Sequence, residues 1–96
     1  MRVAARLDDN QKRIVRWLVA HGCSVQSLAG VGAGCPDLLV GYRGRNVVLE
    51  LKNPAVPQSK RRLTPAEVAW HRRWSGQVAV VQSAEEALEV ITREAR

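Results

Sequence analysis

Hydrophobic positions recur along this chain in two alternating periods. Ile14, Val15, Leu18 and Val19 fall at helical spacing, with Lys12, Arg13 and Arg16 around them. This predicts an amphipathic helix over residues 9–21, capped by Asp8 or Asp9 and ended by Gly22. Residues 23–28 alternate weakly and read as a first strand, and AGVGAG (29–34) reads as a flexible turn. Two short apolar runs come next, 38–42 and 46–51, joined through Arg43-Gly44-Arg45. Each suits a strand, and the glycine-containing connection suits a tight hairpin. Residues 53–63 (NPAVPQSKRRL) hold two prolines and read as an exposed loop. Thr64-Pro65-Ala66-Glu67 opens a second helix running to about Trp74: Thr64 caps, Pro65 takes the first helical position and Glu67 completes a capping box. Trp70 and Trp74 lie one turn apart on its packing side. Residues 77–82, with Val78, Val80 and Val81, predict a fourth strand. Ser83-Ala84-Glu85-Glu86 starts a last helix with Ala84, Ala87, Leu88 and Ile91 as its stripe. The order is αβββαβα, in a single domain spanning 1–96.

Three charged groups interrupt the apolar hairpin. Asp37 stands at the entry of its first strand, and Glu50 and Lys52 stand near the end of its second. Strand side chains alternate faces, so Glu50 and Lys52 share one face and Leu51 takes the other. If the hairpin folds about Arg43-Gly44, Asp37 lies directly across from Glu50. If the loop is one residue longer, it sits one step diagonal. Either register brings the two carboxylates within about 5–8 Å. Such a pair repels unless a cation joins it, and hard carboxylate oxygens suit Mg²⁺ or Mn²⁺.

Pro36-Asp37 and Glu50-Leu51-Lys52 resemble the motif of the PD-(D/E)xK nuclease superfamily. The ordered run GCPDLLVGYRGR, LELK, a basic loop, LTPAE, WHRRW and GQVAVVQSAEEAL is similar to a small stand-alone VRR-NUC domain of phage or bacterial type, over about residues 10–91. The resemblance implies an α/β restriction-endonuclease-like core with a mixed four-stranded sheet flanked by helices. It implies a Mg²⁺- or Mn²⁺-dependent endodeoxyribonuclease, homodimeric and acting on branched DNA such as four-way junctions. Asp37, Glu50 and the Leu51 backbone carbonyl become the metal ligands. Lys52 then orients or helps deprotonate the attacking water, or stabilises the charged transition state. Many relatives carry Gln where this chain has Glu67, which leaves that position between a capping role and a place beside the metal or Lys52. The acid that relatives often hold in the first helix has no clear match. Gln11 occupies that region, as a solvent-facing residue or as one reaching the site through its carbonyl or a water.

Charge supports a nucleic-acid partner. Fifteen Lys and Arg against nine Asp and Glu give a net charge of +6, and basic domains of this kind bind nucleic acid non-specifically. The alternative is a basic surface that only aids solubility. Candidate DNA contacts are Arg43 and Arg45 at the hairpin tip, Lys60, Arg61 and Arg62 in the loop, and Arg72 and Arg73 on the second helix. His71 is a candidate phosphate contact or proton donor, with a packed helix histidine as the plainer reading. Trp70 and Trp74 fit core packing better than base stacking.

Other chemistries fit poorly. His21, Cys23, Cys35 and His71 lack zinc spacing, and neither cysteine has a local base partner. The glycines of 29–34 are followed by Pro36 and a strand, where a dinucleotide site needs a helix. In a nuclease they would let backbone approach a phosphate; otherwise they make a tight connection. No run approaches the ~20 apolar residues of a membrane span. The basic start of the chain has no apolar signal core and the thiols fit a reducing compartment, so the expected location is the cytoplasm, which the resemblance makes that of a bacterial cell or phage-infected host. The competing function is a non-catalytic DNA-binding module that keeps the nuclease fold, and a third is a protein-interaction domain.

Overall fold

The computed structural model describes residues 2–94, with side chains described for 9–93. Its elements are α1 (Arg2–Ala20), β1 (Ser24–Ser27), β2 (Leu38–Tyr42), β3 (Arg45–Leu51), a short 3₁₀ turn (Gln58–Lys60), α2 (Pro65–Arg73), β4 (Val78–Val81) and α3 (Ala84–Glu94). The order α, three strands, α, strand, α is the one the hydrophobic pattern predicts. The fold is α/β, with one mixed four-stranded sheet and three helices. No helix among the described residues is long and apolar enough to cross a membrane.

Helix α1 starts earlier than predicted. Asp8 and Asp9 lie inside it rather than capping it, because the preceding Arg, Ala and Leu residues are strong helix formers. Its far end follows the sequence reading. Gly22 has φ +91°, Gly22 N–H donates to Val19 O at 3.1 Å, and Cys23 N–H donates to Leu18 O at 3.0 Å. This pair of bonds is a Schellman cap, and the buried Cys23 and Leu18 are its apolar contact.

The sheet order is β1-β2-β3-β4. β1, β2 and β3 pair antiparallel, and β3 pairs parallel with β4. Tyr42 pairs with Arg45 and Leu38 with Leu49, so the hairpin turns on Arg43-Gly44 alone. Both have positive φ, 50° and 80°, the conformation of a two-residue type I′ turn.

One sheet face carries the core. Helices α1 and α3 pack against each other and against the strands. Ile14 and Leu18 of α1 meet Leu38, Val40, Val47, Leu49 and Val81 of the sheet, with Ala84, Ala87, Val90 and Ile91 of α3. Strand alternation sends Leu39, Val48, Glu50 and Val80 to the other face. Val48 and Trp70 are buried outside the main cluster. Trp70 stacks on Trp74 with centroids 4.6 Å apart, but Trp74 is 45% exposed; only the first of the two tryptophans is packed inside.

Gly34 fixes where α2 begins. It has φ +82°, and a Cβ there would stand 2.3 Å from the carbonyl oxygen of Ala66. The glycine admits the first turn of α2. Nothing lies within 4 Å of a Cβ built on Gly30. Gly34→Ala should therefore lower the melting temperature by roughly 5–20 °C, from ~1–3 kcal/mol of strain in a domain of this size. Gly30→Ala should leave it within a few degrees. Thermal unfolding followed by circular dichroism checks both, and equal melting temperatures would remove the close approach.

Candidate metal and nucleic-acid site

Asp37 sits one residue before β2, yet the sheet already holds it. Its N–H donates to Leu49 O at 3.0 Å and its carbonyl accepts from Leu28 N–H at 2.8 Å. The regular pairing ends at Leu38–Leu49. Asp37 follows with its N–H turned to β3 and its carbonyl to β1, so it leaves the ladder beside Glu50 and does not form a further regular pair. The Asp37 carboxylate turns toward β3, where Oδ2 accepts from Leu51 N–H at 2.7 Å. A strand residue directs its N–H and C=O to the same edge, so the Leu51 carbonyl is aimed toward the Asp37 side as well.

Glu50 is 4% exposed, and its Oε1 is buried with no hydrogen-bond partner. Its Oε2 lies 3.4 Å from Lys52 Nζ, which is also 3.1 Å from Glu67 Oε1. That same Glu67 oxygen accepts from Thr64 N–H at 2.9 Å, while Thr64 Oγ1 accepts from Glu67 N–H at 3.2 Å. The capping box of α2 and the anchor of Lys52 are thus one contact. Sequence reading set these two roles of Glu67 against each other, and the fold combines them.

Asp37, Glu50 and Lys52 line a cleft of ≈ 410 Å³ with Asn10, Gln11, Leu51, Asn53, Val56, Lys60 and Arg61, and Glu67 holds Lys52 from outside that lining. Gln11 is half-buried on its wall, because packing of Ile14 and Leu18 against the sheet turns that side of α1 inward. Arg61 is half-buried too; Nη1 donates to Gln82 Oε1 at 2.6 Å, and its Nε is buried without a partner. Lys60 is exposed at the rim, and Arg62 is exposed and does not line the cleft. Asn10 and Asn53 were not legible as site residues. Asn53 closes a turn on Ala55 N–H at 2.9 Å, a role its place before Pro54 does signal.

The remaining candidates stand apart. Arg43 and Arg45 are at the turn, about 20 Å from Asp37 along the strand, and Arg43 lies 5.1 Å over the Tyr42 ring. Arg72 and Arg73 are exposed at the end of α2. His71 does not line the cleft. It meets Trp70 edge-on at 5.9 Å, and its Nε2 is buried without a partner.

Three carboxylates, Asp37, Glu50 and Glu67, therefore surround one ammonium. Burial, then the charges of Asp37 and Glu67, push Glu50 up to about 8, with Lys52 opposing. Burial, with the charge of Glu67, also raises Asp37, against the Leu51 N–H bond, a hydrogen bond shared with the Glu50 carboxyl when that holds its proton, and Lys52. Burial alone would lower Lys52; its bond to Glu67 and the charges of Glu50 and Glu67 overcome this and raise it. Glu67 is lowered despite burial, by Thr64 N–H and Lys52. Burial and the two nearby carboxylates raise the Cys35 thiol, which keeps it protonated and a poor nucleophile.

The donor set fits a hard divalent cation. Glu50 Oε1 has no other partner, and the carboxylate pair carries charge that one lysine does not balance. No group of three or more His, Cys, Asp or Glu placed to hold a metal occurs among the described residues. Asp37 and Glu50 would share the ion with main-chain oxygen and water, a sparse set that suits Mg²⁺.

Without metal, the raised Glu50 makes stability pH-dependent. A carboxyl whose folded value exceeds its unfolded one stabilises fully below about 4.5, and this contribution is lost as pH rises through about 8. Metal-free stability should fall between pH 5 and 9, by up to about 1.4 kcal/mol per pH unit for one proton, and the melting temperature with it. Glu50→Gln should flatten that slope and melt higher at its alkaline end. Melts in EDTA across this range test it; a flat wild-type profile would contradict it.

No family model, curated protein or solved structure matches this chain.

Proposed function

We propose that this protein is a Mg²⁺- or Mn²⁺-dependent DNA endonuclease of restriction-endonuclease-like fold and VRR-NUC type, cutting branched DNA such as four-way junctions. One observation carries the reading. Two carboxylates face each other across a hairpin, one with a buried unpartnered oxygen, beside a fixed lysine in a cleft rimmed by Lys60 and Arg61. The carboxylates suit a cation and the rim suits phosphates, so the cleft suits a phosphodiester held against a metal.

Asp37, Glu50 and the Leu51 carbonyl would hold the ion. When bound, it would supply Lewis-acid activation of water and neutralise charge on the scissile phosphate. Lys52 has a narrower role than its sequence position allows. Glu50 and Glu67 hold it protonated, so it acts as an oriented cation beside the reacting phosphate and not as the base. Glu67 is the positioning residue for Lys52. Lys60 and Arg61 hold flanking phosphates, with Gln82 steering the guanidinium. In the reaction, water oxygen bonds to phosphorus, the bond to one deoxyribose oxygen breaks, and the leaving alkoxide takes a proton. A homodimer would offer two such clefts to two strands. Trp74 and Val80, exposed at the end of α2 and on edge strand β4, are the apolar surface suited to that contact.

Asp37→Ala and Glu50→Ala should each reduce cleavage roughly 10³-fold or more, reflecting several kcal/mol of metal-ion stabilisation. Lys52→Met should cost about 10²-fold in single-turnover rate while calorimetric Mn²⁺ affinity stays near wild type. Digestion of single-stranded, duplex, flap and four-way-junction DNA with Mg²⁺ and Mn²⁺ tests this. DNA binding without cleavage under every condition would leave the non-catalytic module.

The rim makes a separate prediction. Replacing Lys60 and Arg61 with Ala should weaken duplex binding and flatten its salt dependence by about 0.9 log unit per lost phosphate contact. Affinity measured across a salt series checks it, and an unchanged slope would make the loop a mere connector.

A further inference from the structure

Helix α1 serves the cleft with one edge and turns a second, unused edge to solvent. Asn10, Arg13, Trp17 and His21 follow one another at spacings of three or four, so they form one stripe. Asn10 is already part of the cleft wall, and Trp17 lies about 10 Å farther along the helix. Burial of Ile14 at 1% and Leu18 at 0% fixes the rotation of the helix, which leaves Arg13, Trp17 and His21 exposed.

Trp17 is 37% exposed and is nonetheless held still. Its ring stacks on His21 with centroids 4.6 Å apart and planes 27° apart. His21 Nδ1 is 2.7 Å from the Trp17 carbonyl oxygen. A carbonyl only accepts, so Nδ1 carries the proton and the imidazole is pinned. The pinned ring backs one side of the indole and leaves an ordered aromatic surface in solvent. Arg13, one turn before Trp17, is the cation on the same stripe. The only acid within 9–21 is Asp9, one turn before Arg13, and among the described residues the two form no ion pair.

We propose that Arg13, Trp17 and His21 form a track for single-stranded nucleic acid that continues the cleft. An unpaired base stacks on Trp17 and Arg13 holds a phosphate. A flat, sequence-tolerant aromatic platform with adjoining cations is the chemistry that grips single strands, whereas the bases of a duplex are already stacked. The track rests on the nuclease reading in one respect: the strand that reaches Trp17 is the one leaving the cleft. It makes the preferred substrate one with an unpaired segment beside the cut, as at a flap or an open junction.

The test is affinity for a labelled oligodeoxythymidine, measured by anisotropy in EDTA to prevent cleavage, with a duplex of equal length beside it. Trp17→Ala should weaken single-strand binding about 5- to 100-fold, with a smaller effect on the duplex. Trp17→Phe should keep most of the affinity, because the phenyl ring still stacks. Arg13→Ala should flatten the salt dependence by about 0.7 log unit for one single-strand phosphate. Should Trp17→Ala fail to fold, intrinsic fluorescence decides. Oligonucleotide should quench wild type more than Trp17→Phe, and equal quenching would overturn the proposal. A folded Trp17→Ala protein with wild-type single-strand affinity would also overturn it, and if wild type still cleaves DNA, the nuclease reading stands without the track. Trp17-dependent binding by a protein that cuts nothing would support the track and sink the nuclease reading. A wild-type protein that binds no DNA would overturn both.

Discussion

The register of the β2–β3 hairpin is the constraint on which the cleft depends. A two-residue turn at Arg43-Gly44 pairs Tyr42 with Arg45, and every pair below inherits that alignment. Four steps on, it pairs Leu38 with Leu49, and Asp37 follows beside Glu50. Side chains alternate with a period of two, so a one-residue slip would turn Glu50 into the α1/α3 core and Leu49 out of it. The apolar contacts of Leu38, Val40, Val47 and Leu49 oppose that slip. The same packing that stabilises the domain therefore holds two carboxylates together against their repulsion.

That repulsion is only partly relieved within the chain. Lys52 bridges Glu50 and Glu67, but three carboxylates exceed one ammonium, and Glu50 responds by holding its proton to about 8. A buried acid with an unpartnered oxygen is costly for a fold of this size. The arrangement makes sense if a cation relieves it. Glu67 adds to the imbalance while improving the hold on Lys52. Gly34 completes this linkage, since it lets α2 approach closely enough for Glu67 to reach the lysine.

The outer surfaces divide by charge and shape. The cleft joins the ends of β2 and β3 to α1 on one side and to the basic loop on the other. Arg61 bridges the loop to Gln82, just beyond β4, so the stretch that reads as a free connector has a tertiary anchor. The hairpin tip, with Arg43 and Arg45, lies at the far end of the strands from this centre.

By itself the sequence determined the elements, the hairpin and the polar exceptions within it. Alternation, a type I′ turn and a capping box are local, with causes a few residues apart. Even the remoteness of Arg43 and Arg45 from Asp37 follows from counting residues along a strand. Only the tertiary structure decided which distant groups meet. Glu67 joins Lys52 because α2 docks against Gly34, and Gln11 and Asn10 reach the cleft because Ile14 and Leu18 set the rotation of α1. Arg61 turns in because Gln82 receives it. Trp74 stays out although Trp70, one turn earlier, is buried. Each outcome depends on how one element seats on another, and no period or spacing within a single element encodes that.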